Sequence, residues 1–432
     1  MHFFKTPAIT AALAILLSFA QTEHASAQAG VQANTAASGP GMPAVPDRNN
    51  LYSETVAGRF SAAVSGALER VYVPNRSANT VTVIDPGTLK VVDTLKVGVH
   101  PQHIVPSWDL KTLWVANNAE GRTDGSLTPI DPRTGKVGPS IPVDDPYNLY
   151  WSPDGRHAIV VAEAFKRLDF RDPQSMKLEF SISTPACAGI NHADFSMDGR
   201  YVVFTCEFGG AITKIDLATR RILETIKLSA YFNRPDVLAL LAKPGKKPMR
   251  VPDPGNPGAM VNTKLGMPQD IRVSPDGKTL FIADMISDGV HVVDFESFRQ
   301  VGFISTGVGA HGLYPSRDGK SLYVANRGSN KIRGDAKGKG GVSVIDFATR
   351  KVMANWVVPG GGSPDMGNVS ADGKYLWLSG RYDNVVYRFD TGTGTGTGTG
   401  AVDTVKVGRE PHGLTVWPQP GRYSLGHTGN MR

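Results

Sequence analysis

Residues 267–307 read MPQDIRVSPDGKTLFIADMISDGVHVVDFESFRQVGFISTG. Four short runs in which apolar and polar residues alternate, DIRVS, TLFIAD, VHVVDF and RQVGFIS, are separated by turn signals, so the stretch predicts a four-stranded antiparallel meander. Within SPDG, Asp276 can bond its own backbone and Gly277 can take positive φ, which makes a tight turn between the first two strands. A lone four-stranded sheet has two apolar faces and cannot cover both. Such a unit needs neighbours of its own kind.

Variants of the unit run along the chain. VYVPNRSANTVTVIDPGTLKVVDTLKVG opens at Val71, PQHIVPSWDLKTLWVANN and PYNLYWSPDGRHAIVVAEAF follow, and NHADFSMDGRYVVFTCEF, AHGLYPSRDGKSLYVAN and PDMGNVSADGKYLWLSG carry the pattern onward. Third strands are marked by Asp85, Asp131, Asp172, Asp216, Asp294, Asp346 and Asp390, which makes seven units. A repeat of roughly forty to fifty residues with four strands per unit is the signature of a β-propeller. The fold expected is all-β, a seven-bladed β-propeller with four-stranded antiparallel blades. The first unit lacks an opening strand, and EPHGLTVW near the C-terminus supplies one that would close the ring and remove an open edge. Eight blades is the alternative, with GRFSAAVSG as an opening strand and RYSLGHTGN as a further second strand.

Of 432 residues, 41% are apolar and 20% charged, with 48 Gly and 30 Pro, a composition that fits a large core built from turns and strands. Residues 1–27 read as a signal peptide: Lys5 precedes the apolar ITAALAILLSFA, and Ala25-Ser26-Ala27 offers a small-residue cleavage site. Residues 28–50 read as a flexible lead-in, and 51–432 as a single propeller domain with insertions at 229–266 and 329–341. The run of TG repeats at 391–400 reads as a hairpin extension without chemistry. These features predict a periplasmic or secreted protein with no membrane span. Export argues against a nucleic-acid partner for the net charge of +7, whose basic residues concentrate in the two insertions.

VYVPN, LYVAN, SPDG and VIDPGTLKVV resemble the YVTN-type β-propeller repeats of exported prokaryotic proteins, over about residues 71–417. The repeat is also similar, more distantly, to the haem-binding propeller of cytochrome cd-type nitrite reductases and to lactonase-like propellers. The resemblance implies the propeller fold. It does not assign an activity, because repeats of this type are scaffold residues.

Chemistry is expected where the opening strands begin, since these line the central channel. Aligning the units on Ser107, Ser152, Ser196, Ser274, Ser316, Ser370 and Trp417 places Gln102-His103, Tyr147-Asn148, Asn191-His192, Gln269-Asp270, His311-Gly312, Asp365-Met366 and His412-Gly413 in corresponding positions. His103, His192, His311 and His412 are therefore candidate metal ligands. Strict alternation counts against convergence, because His103 and His192 fall one position later than His311 and His412 and would face the other way. Glu163, Glu207, Asp270, Asp284, Arg327, Asp365 and Arg381 are the polar candidates on the channel face. Cys187 and Cys206 fall at one end of the same blade and read as a disulfide pair, with free thiols and metal ligation as alternatives.

GVGAHG at 307–312 leads into a strand where a dinucleotide site needs a helix, and HExxH, CxxC and GxSxG are absent. The reading is thus a ligand- or protein-binding scaffold working through its channel face, more a binding protein than an enzyme, with a protein or small-molecule partner. The alternatives are a periplasmic protein that holds a transition metal or haem-like cofactor on the histidines, and a lactonase- or lyase-like enzyme. Histidines that share one pocket would favour the cofactor reading; divergent ones would favour the scaffold.

Overall fold

The computed structural model describes residues 41–241, 250–252, 258, 260–262, 266–392 and 400–432. The proposed signal peptide, residues 28–40 of the lead-in, parts of the 229–266 insertion and TG residues 393–399 lie outside the described residues. Among the described residues, no helix is long and apolar enough to cross a membrane.

Seven four-stranded antiparallel sheets form the blades of a propeller. The stretch at 267–307 becomes blade 5, with strands Pro268–Val273, Thr279–Asp284, Gly289–Asp294 and Arg299–Ser305. Its first turn forms from the residues that predict it. Asp276 Oδ1 accepts from Ser274 Oγ at 2.5 Å and from the Lys278 N–H at 3.1 Å, and Gly277 sits at φ +73°. The same Ser–Asp contact recurs at Ser152/Asp154, Ser196/Asp198, Ser316/Asp318 and Ser370/Asp372. After the third strand Asp294 Oδ1 accepts from both the N–H and the Oγ of Ser297, which explains why an aspartate marks that position in unit after unit.

Inner strands are buried along nearly their whole length and outer strands are largely exposed: every residue of Pro146–Trp151 is buried, against only Ile182 in Leu178–Ser183. Apolar side chains of neighbouring blades interdigitate. Tyr150 and Ile159 of blade 3 share one core with Phe195 and Phe204 of blade 4. Each Val, Leu, Ile or Phe so buried favours the stacked state by about 1.5–3 kcal/mol, and this drives one sheet onto the next.

Blade 1 is completed by the end of the chain. Thr415–Trp417 pairs with Arg70–Asn75 in the register Arg70↔Trp417, Val71↔Val416, Tyr72↔Thr415, so the ring closes as the EPHGLTVW strand predicts. Among the described residues there is no eighth blade. GRFSAAVSG holds a 3₁₀ turn at Ala62–Val64 and an isolated bridge from Phe60 to Gly421, and RYSLGHTGN begins a hairpin in which Ser424 bridges Met431 and Gly426 bridges Tyr150 of blade 3; neither forms a blade strand. Residues 41–69 and this hairpin both pack where the inner strands end: Tyr52 donates to the Val273 carbonyl at 2.6 Å, and the Trp151 N–H donates to the Leu425 carbonyl at 3.1 Å. Cys187, just before the inner strand of blade 4, is bonded to Cys206 at the end of its second strand, with Sγ–Sγ 2.00 Å.

Candidate functional site

In six blades the inner strand loses step with its neighbour near its start, between Pro101 and His103, Pro146 and Asn148, Ile190 and Ala193, Pro268 and Ile271, Ala310 and Leu313, and Pro364 and Gly367. A bulge leaves an extra residue unpaired and bends the strand, so successive side chains no longer have to face opposite ways. Blades 2 to 5 can then each give the channel two successive polar residues, whereas blades 6 and 7 give one each, His311 and Asp365. Gln102, Tyr147, Gln269 and His311 line a cavity of about 380 Å³ at the mouth. One residue further along, His103, Asn148, His192 and Asp270 are fully buried.

The four histidines singled out above lie side by side. Ring centroids are 5.1 Å apart for His103 and His192, 4.8 Å for His103 and His412, and 6.0 Å for His311 and His412. A fifth, His427, stands 4.5 Å from His192 and 5.2 Å from His103. One ring nitrogen from each of His103, His192 and His427 lies within 4.8 Å of the others. Among the described residues neither nitrogen of His103 has a hydrogen-bond partner, nor does Nε2 of His192. The amide of Asn148 bridges the other two rings, with Nδ2 3.2 Å from His192 Nδ1 and 3.0 Å from His427 Nδ1.

His427 comes from outside the blades. It rides on the hairpin that follows Trp417, which enters the channel from the side opposite the cavity. The hairpin is held by Arg432, whose Nη2 donates to Asp194 at 2.6 Å, and by Asn430, which donates to the same oxygen at 2.9 Å. Gly426 has φ +102°, and a Cβ there would meet Tyr150 Cα at 2.4 Å and the Leu149 carbonyl at 2.5 Å. Only glycine allows the backbone so close. The sequence signal was available: His427 sits in GHTG, past the strand that closes the ring, where no blade remains to employ it.

Burial holds these imidazoles neutral. It pushes His103, His192 and His311 well below the ordinary histidine range, His412 to about 4, and His427 also downward. Asp365 anchors the second pair, 3.0 Å from His311 Nδ1 and 2.9 Å from His412 Nδ1. Burial alone would raise its carboxyl, but Arg327, at 3.3 Å, and the two histidines outweigh burial and hold it well below the carboxylate range. Arg381 Nη1 lies 3.5 Å from the other oxygen.

Across the mouth stand Glu163 and Glu207. Glu207 accepts from Asn191 Nδ2 at 2.9 Å and Gln269 Nε2 at 3.1 Å. Burial, and then the charge of Glu207, push Glu163 well above its usual value, and burial raises Glu207 as well. Three of the polar candidates do not line the cavity: Asp365, buried against His311 and His412, and Asp270 and Asp284. Asp270 is buried beneath the histidines, 2.9 Å from Arg272 Nη1 and 3.7 Å from His427 Nε2. Asp284 is turned into its own blade, where it meets His291 at 3.1 Å and accepts from the N–H groups of Met267, Ile286 and Ser287. His291 faces it from the paired third strand, a partner that the alignment of opening strands does not reveal.

The sequence matches the YNCE-like beta-propeller family over residues 34–178 and 259–420. No curated protein matches it. Among solved structures, the chain is similar to the Pseudomonas aeruginosa periplasmic gluconolactonase PpgL, at 20% identity over 80% of this chain and 98% of that one, TM-score 0.57. It is similar to Kuenenia stuttgartiensis hydrazine synthase, at 21% identity over 72% of this chain and 87% of that one, TM-score 0.52. It is also similar to the dihydro-heme d1 dehydrogenase NirN in complex with DHE, at 14% identity over 80% and 75%, TM-score 0.53. At these identities the likeness is one of fold. The family match covers well over half of the chain, and the protein belongs to the YNCE-like β-propellers.

Proposed function

We propose that this propeller is a metal-dependent protein of an export compartment, holding one first-row transition ion on His103, His192 and His427 and receiving a small polar ligand in the mouth above. The observation that carries this reading is His103: a fully buried imidazole with both nitrogens unpartnered, among rings that burial keeps neutral. A buried polar group without a partner is costly, and an all-imidazole set suits copper, zinc, iron or nickel. An equilateral triangle of side 4.8 Å has its centre about 2.8 Å from each corner, and Zn–N bonds are about 2.0–2.1 Å, so each nitrogen needs to move inward by roughly 0.7 Å. Small side-chain rotations supply that.

A flat macrocycle fits less well among the rings. Sandwiching one needs about 7 Å between the groups on its two faces, twice a van der Waals contact, and these rings stand 4.5–5.2 Å apart. The scaffold reading survives in its small-molecule form. A surface that only docks proteins has no need of five buried imidazoles and a carboxylate pair of perturbed acidity, which are the marks of a reactive site. The bound ion would act as a Lewis acid. The chain's part is to orient: Asn148 holds two rings, Asp365 holds His311 and His412, and Glu163 and Glu207 stand ready to hold or release a proton at the mouth. The disulfide and the expected signal peptide support an oxidising export compartment.

The test is metal stoichiometry. Protein stripped with chelator and reloaded with Cu²⁺, Zn²⁺ or Co²⁺ is expected to bind one equivalent, copper tightest, and to unfold at higher temperature when loaded. His103→Ala and His427→Ala should each abolish stoichiometric binding. A wild-type protein that takes up none of these ions refutes the proposal.

A further inference from the structure

The charges around the mouth are sorted. Glu163 and Glu207 follow the second strands of blades 3 and 4, whereas Arg327 and Arg381 follow those of blades 6 and 7. In a seven-membered ring these are opposite sides, and all four side chains line the same cavity of about 380 Å³. We infer that the mouth receives a zwitterion, a small molecule with an amine at one end and a carboxylate at the other.

The two walls carry opposite charge. The two guanidiniums share one carboxylate, Asp365, at 3.3 and 3.5 Å, which leaves one positive charge unanswered. Arg381 spends Nη1 on Asp365 and His412, and among the described residues its Nε and Nη2 meet no hydrogen-bond partner. Those two donors form the planar fork that matches a carboxylate. On the other side Glu163 and Glu207 line the cavity from adjacent blades, and among the described residues no cation stands within salt-bridge distance of either carboxyl. Glu207 already has its two amide donors, but Glu163 Oε1 is buried with no hydrogen-bond partner, and an ammonium N–H would satisfy it.

Further out, Lys166 is exposed and Glu120 is paired with Arg76 at the rim. Between the charged walls stand apolar groups suited to methylenes. Tyr147 lies at the cavity floor, and Phe208 and Ile332, 54% and 56% exposed, flank the opening. A monofunctional ligand would leave one wall's charge unpaired, and this disfavours simple amines and simple acids alike.

This inference deepens the metal reading by naming the ligand class of the same site, yet its charges are present without metal, so it can be tested on stripped protein. Titration calorimetry would use β-alanine, 4-aminobutyrate and 6-aminohexanoate against butyrate and butylamine. The expected result is that at least one amino acid binds roughly tenfold or more tightly than either monofunctional compound. Glu163→Gln should remove that preference while leaving butyrate unchanged, and Arg381→Met should remove it while leaving butylamine unchanged. Should Arg381→Met fail to fold, Glu207→Gln tests the acidic wall a second time. Equal binding of butyrate and the amino acids, or no binding of any amino acid, overturns the inference. Zwitterion binding by a protein that takes up no metal sinks the metal reading alone; metal uptake with no amino-acid binding sinks this one alone.

Discussion

Gly413→Ala is the sharpest perturbation the site offers. The three heavy atoms nearest to a Cβ at position 413 all belong to His103: Nδ1 at 2.0 Å, with Cε1 and Cγ at 2.8 Å. Ordinary contact begins near 3.4 Å, so the ring has to retreat by about 1.4 Å. It has nowhere to go, because His192, His412 and His427 hold their ring centroids 4.8–5.2 Å away and Tyr147 stands at 5.4 Å. Overpacking of this kind costs about 1–3 kcal/mol, and a ring pushed back by about 1.4 Å cannot make the inward movement of roughly 0.7 Å that each ligand nitrogen needs. Stripped Gly413→Ala protein should therefore be about 1–3 kcal/mol less stable in urea, and its metal affinity should fall by roughly a hundredfold or more. In a His103→Ala background the methyl has room, so the same substitution should cost almost nothing, and the double-mutant cycle should give a coupling of about 1–3 kcal/mol. If Gly413→Ala costs the same in both backgrounds, or leaves metal affinity unchanged, the claim that His103 is wedged over Gly413 in the ligand set is wrong.

Three further outcomes follow from named contacts. Asn148→Ala should lower metal affinity by about 10–100-fold with every histidine still present, measured by competition with a chromophoric chelator, because the bridging amide orients two rings. Asp145 has its carboxyl pushed up to about 6 by burial, above its unfolded value. Its contribution to stability is therefore complete below about pH 4 and is lost as pH rises through 6; Asp145→Asn should be neutral at pH 4 and stabilising by about 1–3 kcal/mol at pH 7.5, read from urea midpoints. Replacing Cys187 and Cys206 by alanine opens a loop with a sequence separation of 19, and should cost about 3 kcal/mol in a denaturant titration.

The blades were legible because each local signal and the global fold demand the same residues. SPDG is a turn wherever it occurs, the aspartate after each third strand accepts from the next turn, and alternation in each strand marks which face meets the neighbouring blade. EPHGLTVW could be assigned to blade 1 from a shortage at one end of the chain and a surplus at the other. The long insertion before blade 5 has no repeat to be compared with. Of its described part, Pro235–Leu241 is a short helix and Ser229 is tied to Gln300 of blade 5 at 2.9 Å, neither of which its Pro-rich sequence announces.

The site was half legible, and the reason lies in the backbone. Alternation is the rule that makes strands readable, and it predicts that His103 and His192 turn away from His311 and His412. Six bulges at the channel suspend that rule, and their residue signature is partial: four begin at a proline, Pro101, Pro146, Pro268 and Pro364, a residue found at bulges and strand starts alike, and two begin at Ile190 and Ala310. A propeller narrows toward its axis, where seven inner strands crowd together, and an unpaired residue at each strand start lets the blades offer two tiers of side chains in place of one. His427 escaped for a different reason. Repeat logic sees only what repeats, and the hairpin that carries this histidine has no counterpart in any blade. Its legible trace is thermodynamic: Gly426, His427, Thr428, Asn430 and Arg432 form a polar segment that the structure buries almost completely. Burying such a segment is unfavourable unless specific partners await it. Asp194 and Asn148 supply them, from the inner strands of blades 4 and 3.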